Sequence, residues 1–128
     1  MIGLRLFAML LVTGSAASAA FLPLRSGTYV QSGTPCKDPP FAAMFAYDGH
    51  QFSYPHATQC RSLIRGHRAH GYRVEETCSA LGDGTPAAPT IVETSYIVRS
   101  ATRVLVGRNG MASSSYRWCP PPRPNHIR

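Results

Sequence analysis

Only one lysine, Lys37, and six acidic residues stand against twelve arginines in these 128 residues, a formal net charge of +7. Chemistry-bearing motifs are missing. There is no Gly-x-Ser-x-Gly, no His-Glu-x-x-His, no Ser-x-x-Lys and no glycine loop of the kind that cradles phosphate, which removes the usual marks of hydrolases, zinc peptidases and nucleotide enzymes. No Cys-x-x-Cys pair occurs, so the four cysteines do not suit a zinc site. No apolar run approaches the roughly 20 residues that span a bilayer. From Phe21 onward no stretch keeps a helical period, which argues against a bundle.

What is present begins with MIGLRLFAMLLVTGSAASAA: an early arginine, a short apolar run and a small-residue end. This reads as a secretory signal peptide over residues 1–20, and no cysteine near the expected cut offers a lipidation site. The remaining 128 − 20 = 108 residues make one domain, with 12 cations against 6 acids. Export to the periplasm or beyond follows, and four cysteines in that setting read as two disulfides.

The pairing comes from the stretch TQCRSLIRGHRAHGYRVEETCSA, Thr58 to Ala80. With residues 67–71 as its loop, an antiparallel hairpin sets Cys60 opposite Cys78, Ile64 opposite Val74, and Gly66 opposite Tyr72. Opposed Cβ atoms in such a ladder lie about 4.5–5.5 Å apart, so Cys60 bonds to Cys78 and Cys36 is left for Cys119. In the loop-entropy treatment the two bonds contribute about 3 and 4.5 kcal/mol. The outer face of this hairpin carries Arg61, Arg65, Arg73 and Glu75, with Arg68 in the loop and Arg65 opposite Arg73.

Other strands follow the same reasoning. Ser26–Gln31 is a first strand, and Ala42–Tyr54 is a second hairpin turning at Asp48-Gly49. Its pairing puts Tyr47 opposite His50, Phe45 opposite Phe52 and Ala43 opposite Tyr54, an aromatic wall on one face. Leu81–Pro89 reads as a long turn, Thr90–Arg99 and Thr102–Gly107 as strands, and Asn109-Gly110 as a turn returning through Met111–Cys119 with Val106 opposite Ser113 and Arg103 opposite Tyr116. Pro120–Arg128 reads as a proline-rich extended tail. The fold class is all-β: about eight short antiparallel strands in a meander over residues 21–119, either a small barrel or a two-sheet sandwich.

Catalysis is not expected. Glu75 and Glu76 are adjacent in a strand and point to opposite faces, while Asp48 and Asp83 belong to glycine turns. His67 with His70, and His50 with His56, supply too few converging groups for a metal, so neither metal nor cofactor is expected. The surface feature with functional meaning is the Arg61, Arg65, Arg68 and Arg73 patch, suited to an acidic envelope component such as a phosphorylated glycolipid or polymer, and not to nucleic acid, since aromatics do not interleave with the arginines. A second reading makes Phe45, Phe52, Tyr47 and Tyr54 the lining of a pocket for an apolar small molecule, and a third an inhibitor of a secreted hydrolase.

Gly27-Thr28-Tyr29-Val30, Thr34-Pro35-Cys36, Tyr47-Asp48-Gly49, Cys60, Cys78, Gly82-Asp83-Gly84-Thr85-Pro86 and Tyr116-Arg117-x-Cys119 together resemble a group of small exported proteins of Gram-negative bacteria. The resemblance implies export and a disulfide framework but no activity. Size and expected barrel are also loosely similar to the inhibitors of c-type lysozyme. The Ser-Gly-x-x-Tyr segment through which that family acts is absent here, and a basic chain would be steered away from a basic enzyme.

Overall fold

The computed structural model describes residues 21–123; the expected signal peptide, 1–20, and the last residues of the expected tail, 124–128, lie outside them. Eight strands run antiparallel: β1 (Gly27–Gln31), β2 (Met44–Tyr47), β3 (Phe52–Ser53), β4 (Ala57–Arg68), β5 (Gly71–Leu81), β6 (Pro86–Ser100), β7 (Arg103–Arg108) and β8 (Ser114–Cys119). Among the described residues the only helical segment is the 3-10 turn Phe41–Ala43.

Each strand pairs with the next in sequence except β3 with β4, and β8 returns to pair with β1. This nearly closed barrel decides against the sandwich. The ladder Thr28↔Cys119 through Gln31↔Tyr116 joins first strand to last, and the Cys36–Cys119 disulfide lies beside it. The weakest join is elsewhere. Between β3 and β4 the sheet is bridged only at Tyr54↔Ala57, with Gln51 Oε1 accepting from Ser62 N at 3.1 Å further along the same gap.

Inside, alternation sorts the side chains as expected of a small barrel whose interior is filled. Tyr29, Phe45, Tyr47, Phe52, Tyr54 and Tyr96 are all buried. Phe52 stacks between Tyr47 and Tyr96, with ring centroids 4.8 and 4.6 Å away, and Phe45 stacks on Tyr29 at 5.2 Å. The lead-in residues Leu22 and Leu24 enter the same core and close one end of the barrel. Tyr47 holds them there: its hydroxyl accepts from Leu22 N at 2.7 Å and lies 2.8 Å from the Gly49 carbonyl.

Both disulfides form as expected, Cys60–Cys78 and Cys36–Cys119, but three registers differ. In the β4–β5 hairpin Cys60↔Cys78 and Ile64↔Val74 hold, yet a bulge at Arg65 then sets Gly66 opposite Arg73 instead of Tyr72. The extra residue shortens the loop to Ala69-His70, so Arg68 ends β4 rather than sitting in the loop. In the β2–β3 hairpin Tyr47 faces Phe52, not His50. There Asp48 Oδ1 accepts from both His50 N and Gln51 N, at 2.8 and 2.7 Å, which builds a longer Asx-type loop. Between β7 and β8 Val106 faces Ser114 and Arg103 faces Arg117, because the chain does not rejoin the ladder until Ser114. Finally Pro86–Pro89 belong to β6. β6 overruns β7 there, so its far edge has no neighbour and needs no proline N–H.

Replacing Cys36 and Cys119 together by alanine should lower stability by about 4.5 kcal/mol in the loop-entropy treatment, read as a drop in the urea midpoint. Burial pushes the Tyr29 phenol up to about 12, with neighbouring Tyr47 adding to the shift, whereas an unfolded tyrosine titrates near 10. Above about pH 10 the unfolded chain thus binds fewer protons than the folded one. The stability this group confers is complete below that pH and is lost as pH rises toward 12, so alkaline titration should show tyrosinate absorbance and loss of near-UV dichroism appearing together.

Candidate functional site

The hairpin arginines come out on the surface, but two of them are paired. Arg65 Nη2 lies 3.1 Å from Glu75 Oε1, and Arg73 Nε lies 3.8 Å from Glu93 Oε1. Arg73 also donates to the Arg65 carbonyl at 3.4 Å. Arg65 and Arg73 are not directly opposed, since the bulge intervenes. Arg61 and Arg68 are exposed and have no acidic partner among the described residues. The outer hairpin face is therefore about half neutralised, and exposed pairs of this kind contribute at most about 1 kcal/mol each.

A different set of cations gathers where the barrel is plugged by the lead-in. Val98 N donates to the His70 carbonyl, Arg25 N to the Ala101 carbonyl and Trp118 N to the Thr102 carbonyl, at 2.9, 2.7 and 2.9 Å. These bonds bring together the β4–β5 turn, the β6–β7 turn and the segment entering β1. Arg25, Arg68, Arg99 and Arg103 are exposed there. None of the four pairs with a carboxylate among the described residues. Arg25 is set in place by Trp118, its guanidinium carbon 4.0 Å from the ring centroid. Trp118 donates from Nε1 to the Ser26 carbonyl at 3.1 Å, and it can lie against the chain because residue 27 is glycine: a Cβ there would run into the indole. Arg117, opposite Arg103, is committed elsewhere, with Nη2 on the Thr34 carbonyl at 2.6 Å and Nη1 2.7 Å from Cys36 Sγ. The acid at this end is Asp48, held below the usual carboxylate range by the backbone N–H groups of Gln51 and His50.

The aromatic residues expected to line a pocket divide. Phe45, Phe52 and Tyr47 pack against one another and against Tyr29 and Tyr96, leaving a filled core, while Tyr54 alone of the four borders the cavity at the far end of the barrel.

Sequence reasoning passed over the most unusual polar group, Glu76, which is 2% exposed. Its carboxylate accepts from Tyr54 Oη at 2.6 Å, from Thr94 Oγ1 at 3.2 Å and from Tyr96 Oη, and the two phenol oxygens are 3.0 Å apart. The signal was available in the alternation Val74, Glu76, Cys78, Ala80, which puts Glu76 on the inward side. Burial is the largest cause raising the Tyr54 phenol; nearby Glu76 adds to it and Arg108 opposes it. Burial likewise drives the Tyr96 phenol upward, followed by Tyr54 and Glu76. Among the described residues, no three His, Cys, Asp or Glu side chains converge as metal ligands, and no helix is long and apolar enough to cross a membrane.

Comparison with known proteins finds no matching family model, no matching curated protein and no matching solved structure.

Tyr54→Phe takes one donor from a buried carboxylate. Hydrogen bonds to charged groups are worth about 1.5–3 kcal/mol, and a loss of that size should appear in urea unfolding. A change below about 0.5 kcal/mol would mean that Glu76 does not depend on this hydroxyl.

Proposed function

We propose that this chain is an exported, non-enzymatic binding domain that recognises a phosphate-bearing envelope glycolipid through Arg25, Arg68, Arg99 and Arg103 at the plugged end of the barrel. The observation that carries this reading is the contrast in pairing: Arg65 and Arg73 each have a glutamate within 4 Å, and these four exposed guanidinium groups have none among the described residues. Like charges gathered on three adjoining segments repel in the free protein, and an anionic partner offsets that cost. Arginine suits phosphate in particular, since its planar fork can make two parallel hydrogen bonds to phosphate oxygens. Trp118 holds one of these groups by a cation–π contact, which limits the entropy lost when it engages a partner.

The expected partner is unchanged from the sequence reading, but the residues shift from the hairpin's outer face to the barrel end, with Arg68 common to both. Two disulfides suit an oxidising compartment outside the cytoplasm. A filled aromatic core argues against carriage of an apolar molecule in the barrel interior.

Each arginine near an anionic surface is worth about 1 kcal/mol, so four of them amount to about three decades in partitioning. Sedimentation with vesicles containing phosphorylated glycolipid should therefore fall by about 10³ on replacing all four by glutamine, and fall steeply with added salt. The Arg65→Gln, Arg73→Gln double variant should change it several-fold at most. If the quadruple variant partitions as the parent does, the barrel end is not the binding surface.

A further inference from the structure

The end of the barrel opposite the arginines is open and is built differently. Thr94 faces Arg108 of β7 and the Glu93 carbonyl accepts from Asn109 N at 3.1 Å, but from Val92 back to Pro86 the ladder of β6 is with β5 alone. The inward side of this two-stranded ribbon has no strand across from it. It forms one wall of a cavity of about 210 Å³, whose other wall is the Tyr54–Ala57 turn together with Arg108. That turn lies tight against the ribbon. A Cβ on Gly82 would overlap the Pro55 carbonyl, and Thr58 Oγ1 donates to the Leu81 carbonyl at 2.6 Å. Half of the lining residues are aliphatic, Ala80, Ala88 and Val92 among them.

Two groups of opposite charge border this space. Glu76 lies at its floor, where three hydroxyls occupy three of the roughly four acceptor directions a carboxylate offers; the direction left over is on Oε1, which Tyr96 alone approaches. Arg108 lies at its side, with its guanidinium carbon 4.1 Å over the centroid of the Tyr54 ring. The ring fixes the cation without using any of its N–H groups, and the Arg108 guanidinium makes no hydrogen bond or ion pair with the described residues. Tyr54 therefore carries the guanidinium on its face and the carboxylate at its hydroxyl, so the two charges stand about one phenol apart.

This combination restricts what can enter. An anion alone would meet Arg108 but face Glu76, and a cation alone the reverse. A purely apolar molecule would bury both charges and satisfy neither. A molecule carrying both charges close together on a small aliphatic body meets both charged groups and the aliphatic wall. We propose that the cavity binds a small zwitterion of the α-amino acid class with a short aliphatic side chain. Its ammonium group donates to Glu76, its carboxylate takes the fork of Arg108, and its side chain lies on Ala80, Ala88 and Val92. The cavity volume of about 210 Å³ suits a body of alanine-to-valine size better than an aromatic amino acid.

The site is independent of the glycolipid reading, since it lies at the other end of the barrel and shares none of those four arginines. Calorimetric titration of the disulfide-intact protein with L-valine, isobutylamine, isovalerate and L-phenylalanine separates the charges and the size. Saturable binding of valine is expected, at least about tenfold tighter than that of either singly charged analogue, with no binding of phenylalanine. Arg108→Gln, checked for an unchanged circular dichroism spectrum, should weaken valine at least about tenfold and leave isobutylamine the same or tighter. Equal binding of valine and one analogue, no valine binding at millimolar concentration, or unchanged valine affinity in Arg108→Gln would each overturn the proposal. The analogue series on the unaltered protein decides the matter even where a variant fails to fold. The quadruple arginine variant at the plugged end should bind valine as the parent does.

Discussion

A barrel of eight short strands has room inside only for its own side chains, and here the filling is aromatic, with four of its buried rings carrying hydroxyls. A buried phenol must find an acceptor, and that requirement organises both ends of the molecule. Tyr29 donates to the Arg25 carbonyl at 2.7 Å, and Tyr47 reaches the carbonyls of Leu22 and Gly49. These bonds draw the lead-in segment into the barrel and close that end. Tyr54 and Tyr96 point toward the other end, where no backbone carbonyl meets them, and Glu76 supplies the acceptor. The plug and the buried acid are thus two solutions to one problem.

The same filling explains which parts of the molecule were legible in the sequence. Strand parity survives an error of two residues, so Phe45, Tyr47, Phe52 and Tyr54 were assigned to the inner face although Tyr47 pairs two residues further on than the Asp48-Gly49 turn implies. An error of one residue is worse. It put Arg103 opposite Tyr116, whereas Val104 occupies that place and shares the inward side with it. The cysteine pairing was readable because Cys60 and Cys78 face each other in one hairpin ladder, which leaves Cys36 for Cys119 by elimination. The bulge at Arg65 was passed over although Gly66 marks it, an isolated glycine inside a strand being a usual sign of one. Pro86 and Pro89 misled because their edge of β6 lacks a neighbour, a fact of topology that no local window contains.

Charge was legible in amount and not in place. A strand pattern assigns Arg61, Arg65 and Arg73 outward and sets Glu75 on the same face, where it reaches Arg65, but it does not show that Glu93 on the next strand reaches Arg73. Nor does it join Arg25, Arg68, Arg99 and Arg103, which are brought to one end by turns distant in sequence. Glu76 is the reverse case. Its inward position follows from alternation with Val74, but its partners come from β6 and from the end of β3, so its role is a property of the closed barrel.

The join between β3 and β4 sets where that closure can yield. β3 is two residues long, and beyond the Tyr54–Ala57 bridge and the Gln51–Ser62 contact, β4 runs to Arg68 with a strand on one side only. Neither disulfide crosses this gap, since one lies within the β4–β5 hairpin and the other beside the β1–β8 ladder. The molecule is in effect a cylinder slit along one side and riveted on the others, with the Gln51 side chain as the one clasp beyond the turn that spans the slit.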